Sequence, residues 1–175
     1  MGLSETLYTA VLTSFLTLFV VALICFFVPR CVLASDFQLS SLKIDVFFFI
    51  GLIPIILGLI TIMGFVRGSI LHGTGSPVPY DMPKELIVRG SYRVVRNPMY
   101  FGCCLILFGQ ALLFKSFGFL LYLLVYFLLF HMLVVFIEEP MLKREFGESF
   151  EQYCKSVPRW IPSLRVFRGD ISKSA

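Results

Sequence analysis

Four stretches of this chain carry no Asp, Glu, Lys or Arg: Leu7 to Val28, Val46 to Phe65, Met99 to Phe114 and Phe117 to Ile137. A helix needs roughly 20 apolar residues to cross about 30 Å of hydrocarbon, so three of the four are long enough outright. The third, Met99 to Phe114, rises only about 24 Å. Only Lys115-Ser116 separates it from the fourth, so these two read as a tight helical hairpin. A backbone in lipid must satisfy its own hydrogen bonds, which predicts an all-α polytopic membrane protein with about four transmembrane helices. Composition agrees. Apolar residues make up 58% of the chain and charged ones 15%, against roughly 25% charged in soluble domains. A single membrane domain over 1–175 is expected, with no nucleic-acid partner.

Topology follows from the fifteen Lys and Arg. With four spans, one side receives the N-terminus, the 66–98 loop (Arg67, Lys84, Arg89, Arg93, Arg96) and the tail (Lys143, Arg144, Lys155, Arg159, Arg165, Arg168, Lys173). The other side holds Arg30, Lys43 and Lys115. Twelve against three predicts cytoplasmic termini under the positive-inside rule, in a bacterial inner membrane or a eukaryotic endomembrane. "CVLAS" at 31–35 has the small residues of a signal-peptidase site, but the N-terminus lacks basic residues and the apolar run is too long, so the first span is expected to stay. "MGLSET" fits a myristoylation pattern that also occurs by chance. The five cysteines, at 25, 31, 103, 104 and 154, form no CxxC pair and no zinc spacing. They read as soft packing residues, and no metal is expected.

The loop "RGSILHGTGSPVPYDMPKELIVRGSYRVVRN" cannot lie exposed to lipid, so it is expected to fold over the cytoplasmic helix ends. After the fourth span, Leu142, Phe146, Phe150, Tyr153 and Val157 recur at helical steps, with charged residues between them. This is an amphipathic helix, expected in the membrane interface and weakened by Gly147, with Trp160 at headgroup level.

Three features within this frame bear on chemistry. In "RNPMY", Asn97 is a good N-cap and Pro98 suits the first helical position. The helix start also offers unpaired N–H groups and partial positive charge to a ligand. Glu138-Glu139 ends a membrane helix whose dipole it opposes, so it calls for a cationic ligand or an Arg of the long loop, unless Pro140 starts a new helix that the pair decorates. His131 lies two helical turns before Glu138 and is an ionisable group within a span; a bond to a neighbour such as Gln110 is the plainer reading. Gly102 and Gly109 share one face of the third span and would allow close approach of another helix.

Taken in order, "LIVRGSYRVVRNPMYFG", a hairpin of spans and "EEPMLKREFGESFEQYCKSVPRWIP" resemble the isoprenylcysteine carboxyl methyltransferase family, with phospholipid N-methyltransferases as distant kin. The likeness covers roughly 66–163, a methyltransferase core, leaving the first two spans (1–65) and a polar tail (164–175) outside it. The resemblance implies an integral-membrane enzyme that moves a methyl group from S-adenosyl-L-methionine to a lipophilic acceptor entering from the bilayer between the third and fourth spans. Carried over by position, the cofactor residues would be Lys84, Glu85, Leu86, Ile87, Tyr92, Asn97, Pro98, Met99, Tyr100 and Glu138, with Arg96 or the helix N-terminus able to take the cofactor's carboxylate. Glu139 and Arg159 would serve the acceptor, with Arg159 near its polar head and Glu139 or His131 as base for an amine. Two positions depart from the family: Asn97 stands where its members usually carry His, and Val134 where they place a substrate-contacting Arg. The acceptor implied is the carboxylate of an isoprenylated cysteine or a similar isoprenoid. A phospholipid amine is the alternative, and a non-enzymatic lipid-binding or assembly factor is the competing class.

Overall fold

The computed structural model describes residues 14–16, 18–32, 34, 44–72, 88 and 90–163. The described residues are all helical or irregular, with no strand among them. Helix α1 (Ser14–Cys31) contains a π-helical turn at Leu23–Phe27. Helix α2 is Val46–His72, α3 is Pro98–Phe114, α4 is Phe117–Leu133 and α5 is Glu139–Ser156. A second π-helical turn, Val134–Glu138, joins α4 to α5, so Phe117–Ser156 is one run of 40 residues. Three helical runs are long and apolar enough to cross a membrane, and α3, with 17 residues, is the shorter apolar helix. The "MGLSET" motif, Arg89, the polar tail and the four loop residues Lys84, Glu85, Leu86 and Ile87 lie outside the described residues.

Two compact bodies result. One comprises residues 18–62 and 99–131 and is held by shape. The close approach expected at Gly102 and Gly109 is made, and its partner is α2 through Gly51 and Gly58. A Cβ on Gly58 would sit 2.6 Å from the Gly102 carbonyl oxygen, and one on Gly109 would sit 2.5 Å from that of Gly51. Only a residue without Cβ lets two helix backbones touch in this way, which is the usual basis of helix association in lipid. Around the seam Ile106, Leu107 and Phe119 are fully buried.

The hairpin closes with local devices that the two-residue gap only hinted at. Lys115 adopts φ +50°, a left-handed conformation that favours glycine. The amide of Ser116 donates to the Ala111 carbonyl at 3.1 Å and that of Lys115 to Leu112 at 3.3 Å, the paired bonds of a Schellman ending. Ser116 then caps α4, its Oγ accepting from the Phe119 amide at 3.3 Å. Lys115 pairs with Asp45, whose other oxygen accepts from the Phe48 amide at the start of α2. In the same body Gln110 is buried, and its Oε1 has no hydrogen-bond partner among the described residues. The expected bond to His131 is thus not made through that oxygen; His131 stacks on Phe127, centroids 5.7 Å apart.

The other body comprises residues 14–16, 63–98 and 132–163. Its helix α5 has the expected amphipathic pattern, and Gly147, at φ +50° and ψ −126°, breaks it. The apolar side packs within the protein. Phe150, Tyr153 and Val157 form a core against which Val88, Leu142, Phe146 and Cys154 lie. The face assigned from sequence to the membrane interface is therefore covered by the chain itself. The π turn also replaces the α-helical register assumed between His131 and Glu138, because a π turn takes more residues than an α turn.

Candidate functional site

The site is built from a turn and a tail that run side by side within the second body. Residues Gly90–Arg93 form a 3-10 turn entered through Gly90 at φ +56°, and Val94 and Val95 both donate back to the Ser91 carbonyl at 3.1 Å. Val95 is buried and anchors the turn. Asn97 and Pro98 then occupy the N-cap and first-helical positions of α3, as expected from their types.

The tail returns along this turn after α5 ends. Four hydrogen bonds join this segment to α5 and the tail, one from α5 and three along the tail. The Tyr153 hydroxyl donates to the Tyr92 carbonyl at 2.8 Å, the Arg96 amide to Pro158 at 3.0 Å, the Asn97 Nδ2 to the Arg159 carbonyl at 3.2 Å, and the Ser163 amide to Val94 at 2.9 Å. Pro158 and Pro162 suit this extended course, since neither has an N–H to leave unsatisfied.

Between turn and tail stands Glu139. Its Oε1 accepts from Arg96 Nη1 at 2.9 Å and from Arg159 Nε at 2.6 Å, and its Oε2 accepts from Arg159 Nη2 at 2.7 Å. The Arg159 fork is bidentate, the geometry that makes guanidinium–carboxylate pairs strong. Side-chain exposures of 13% for Arg96, 19% for Glu139 and 32% for Arg159 mean that water screens this cluster only in part. Glu139 holds the Arg159 guanidinium further above its ordinary value. Arg96 Nη1 also lies 2.9 Å from Cys154 Sγ, and burial pushes that thiol up while Arg96 pulls it down. Arg96 Nε is buried without a hydrogen-bond partner among the described residues.

Tyr92 packs edge-on to Phe65, ring centroids 5.9 Å apart. Burial raises its phenol above the ordinary value, and the Glu138 charge raises it further. Of the acidic pair, Glu139 meets the two arginines. Both readings of the pair hold, because Glu139-Pro140 opens α5 and Glu139 also has its Arg from the long loop.

Of the residues singled out by sequence, Tyr92, Arg96, Asn97, Pro98, Glu138, Glu139 and Arg159 lie in one body. Met99 and Tyr100 begin the part of α3 that belongs to the other, where Tyr100 packs on Phe130, centroids 4.8 Å apart. Tyr153 and Cys154 were not singled out for a site. A clue existed for Tyr153: a phenol on an otherwise apolar helical face needs a partner for its hydroxyl once buried.

The profile of the phospholipid methyltransferase family matches residues 46–149, more than half of the chain. It takes in "RNPMY" and "EEP" alike and stops before Cys154 and Arg159. Neither the curated proteins nor the solved structures gave a match. With Arg96 and Glu139 both inside the matched stretch and joined by an ion pair, the chain belongs to the phospholipid methyltransferase family, one of the membrane methyltransferases grouped with the isoprenylcysteine carboxyl methyltransferases.

Proposed function

We propose that this protein is an S-adenosyl-L-methionine-dependent methyltransferase of the membrane that acts on a lipophilic acceptor at its cytoplasmic rim. The observation that carries this reading is the family match through both "RNPMY" and "EEP". The residues present fit the cofactor on a further ground. Arg96 Nε is a buried donor lacking an acceptor, and the amino-acid end of the cofactor bears a carboxylate.

When bound, the cofactor supplies an electrophilic methyl group on a sulfonium. The chain's own part is binding, orientation and exclusion of water. Glu138 offers a carboxylate to the cofactor's cationic groups, Tyr92 an aromatic surface to its adenine, and Arg96 a guanidinium to its carboxylate. The resemblance gives Lys84, Glu85, Leu86 and Ile87 to the same cofactor. Arg159 faces the acceptor's polar end, and its counter-charge Glu139 keeps it oriented until the acceptor arrives.

A carboxylate acceptor needs no base. Glu139, with both oxygens already accepting from guanidiniums, is poorly placed to take a proton, which favours the carboxylate of an isoprenylated cysteine or similar isoprenoid. A second reading, a phospholipid amine, is favoured by the family description and would need Glu138 to receive the proton.

Incubation of membranes holding the protein with methyl-labelled cofactor tests both. A labelled lipid that releases its label as methanol in mild alkali identifies a methyl ester, and an alkali-stable label identifies an amine. No label in any lipid would remove the enzymatic reading. Glu138→Gln in detergent should weaken S-adenosylhomocysteine binding by roughly 1.5–3 kcal/mol, the range of one charge-assisted bond, in a protein that stays folded. Unchanged binding by calorimetry would take Glu138 out of the cofactor site.

A further inference from the structure

Asn97 caps α3, a place that the resemblance and the helix start give to the cofactor. Its side-chain Nδ2–H donates to the Arg159 carbonyl at 3.2 Å. Arg159 is therefore gripped at two points, its carbonyl by Asn97 and its guanidinium by the two oxygens of Glu139 at 2.6 and 2.7 Å. The neighbouring bonds, Arg96 amide to Pro158 and Ser163 amide to Val94, fix the chain on either side. Below it the buried Tyr153 and Val157 seat the start of the tail. All these groups belong to one body, and the tail that they hold lies beyond the stretch shared with the family.

We propose that Asn97 is a positioning residue that acts through Arg159, so that it governs engagement of the acceptor's anionic group and not the affinity for the cofactor. The inference rests on the methyltransferase reading for its functional half only. With Arg96 given to the cofactor's carboxylate, Arg159, held on Glu139, is the guanidinium of this cluster left to meet an anionic acceptor group, a carboxylate or a phosphodiester. A guanidinium fork binds such a group well only if its plane is fixed, and a fixed backbone carbonyl limits where that plane can lie.

Trp160 is the single tryptophan of the chain and adjoins Arg159, so its fluorescence reports on the tail directly. The test compares wild type with Asn97→Asp, which keeps the size and loses the donor, and with Asn97→Gln, which keeps a donor. Each is measured by acrylamide quenching of Trp160, by S-adenosylhomocysteine calorimetry, and by methyl transfer to a short prenylcysteine and to phosphatidylethanolamine in mixed micelles. For Asn97→Asp the proposal expects quenching to rise at least twofold. The half-saturating concentration of whichever acceptor is used should rise fivefold or more, with cofactor-product affinity within twofold of wild type and partial recovery in Asn97→Gln. A tenfold loss of S-adenosylhomocysteine affinity with unaltered quenching would overturn it, as would no change in either quenching or acceptor use. Should Asn97→Asp fail to fold, Arg159→Lys, which keeps the charge and loses the fork, must still raise the acceptor's half-saturation without loosening the cofactor product. If wild type binds no S-adenosylhomocysteine and methylates neither probe, the methyltransferase reading fails. The quenching comparison then still decides whether Asn97 holds the tail.

Discussion

The two bodies of this protein are held together by opposite means. In the body of α2, α3 and α4, contact is made by leaving atoms out: glycine faces glycine at positions 51 with 109 and 58 with 102, and backbones meet where side chains would have stood. In the body of the turn and the tail, contact is made by polar groups reaching across, with Glu139 taking three charged hydrogen bonds and the Tyr92–Asn97 strand of chain taking four more. The difference follows from the solvent. Among lipid tails there is no hydrophobic gain in pairing two apolar helices, so close packing has to supply the attraction. Where charges reach both water and neighbours, as the part-exposed Arg96, Glu139 and Arg159 do, directionality becomes available to fix a ligand's orientation.

The comparison breaks first at the glycine seam. Gly58→Leu puts a side chain where even a Cβ would lie 2.6 Å from the Gly102 oxygen, so the helices must separate. A loss on the order of 3 kcal/mol is expected, read as a lower melting temperature in detergent. Gly68→Ala, with nothing within 4 Å of the added Cβ, should leave that temperature unchanged or slightly raised. A Gly58→Leu protein that melts with wild type would mean that the seam is not what holds this body.

In the polar body a single bond counts for less. Tyr153→Phe deletes the hydroxyl that serves the Tyr92 carbonyl and should cost about 1–2 kcal/mol. Burial, and then the Tyr92 phenol, raise the Tyr153 phenol above its ordinary value. The folded state thus keeps a proton that the unfolded chain gives up. Its contribution is complete below the ordinary tyrosine value of 10.0 and is lost as pH rises beyond it. Melting curves at alkaline pH should fall less steeply for Tyr153→Phe than for wild type, with the raised Tyr92 phenol contributing to what slope remains.

The smallest effect belongs to a polar contact of the glycine-packed body, the exposed Asp45–Lys115 pair. Lys115, and secondarily the Phe48 amide, lower the Asp45 carboxyl below its ordinary 3.8. Its stabilisation is therefore present above about pH 4 and disappears as pH falls through the lowered value. Comparing melting of wild type and Asp45→Asn between pH 6 and 3 should show a slight extra acid sensitivity in wild type alone. Equal acid sensitivity in both would assign no role to the pair.

What the sequence made legible was local. Charge-free runs, the two-residue gap at Lys115-Ser116 and the helical steps from Leu142 to Val157 each lie within a few turns, and each appears as a helix, a hairpin or an amphipathic face. The glycines were half legible: Gly102 and Gly109 mark a face, but only the facing helix reveals that Gly51 and Gly58 complete it. The ion cluster was legible as a demand, since Glu138-Glu139 needed a cation, though not as an answer. Arg159 is 62 positions from Asn97, and nothing periodic connects them. Lys84 to Ile87 carry no geometry in the described residues, so their part in the site rests on resemblance.

The glycine seam also has a bearing on traffic. A methylene lodged between two helices needs roughly 7 Å between the atoms on either side, twice an ordinary carbon contact. Along α2 and α3 that room is missing at two points seven residues apart, about 10 Å of helix. This flank is a closed wall to a hydrocarbon chain diffusing in the plane of the bilayer, so a membrane-borne guest that passes through this body has to come in on another side.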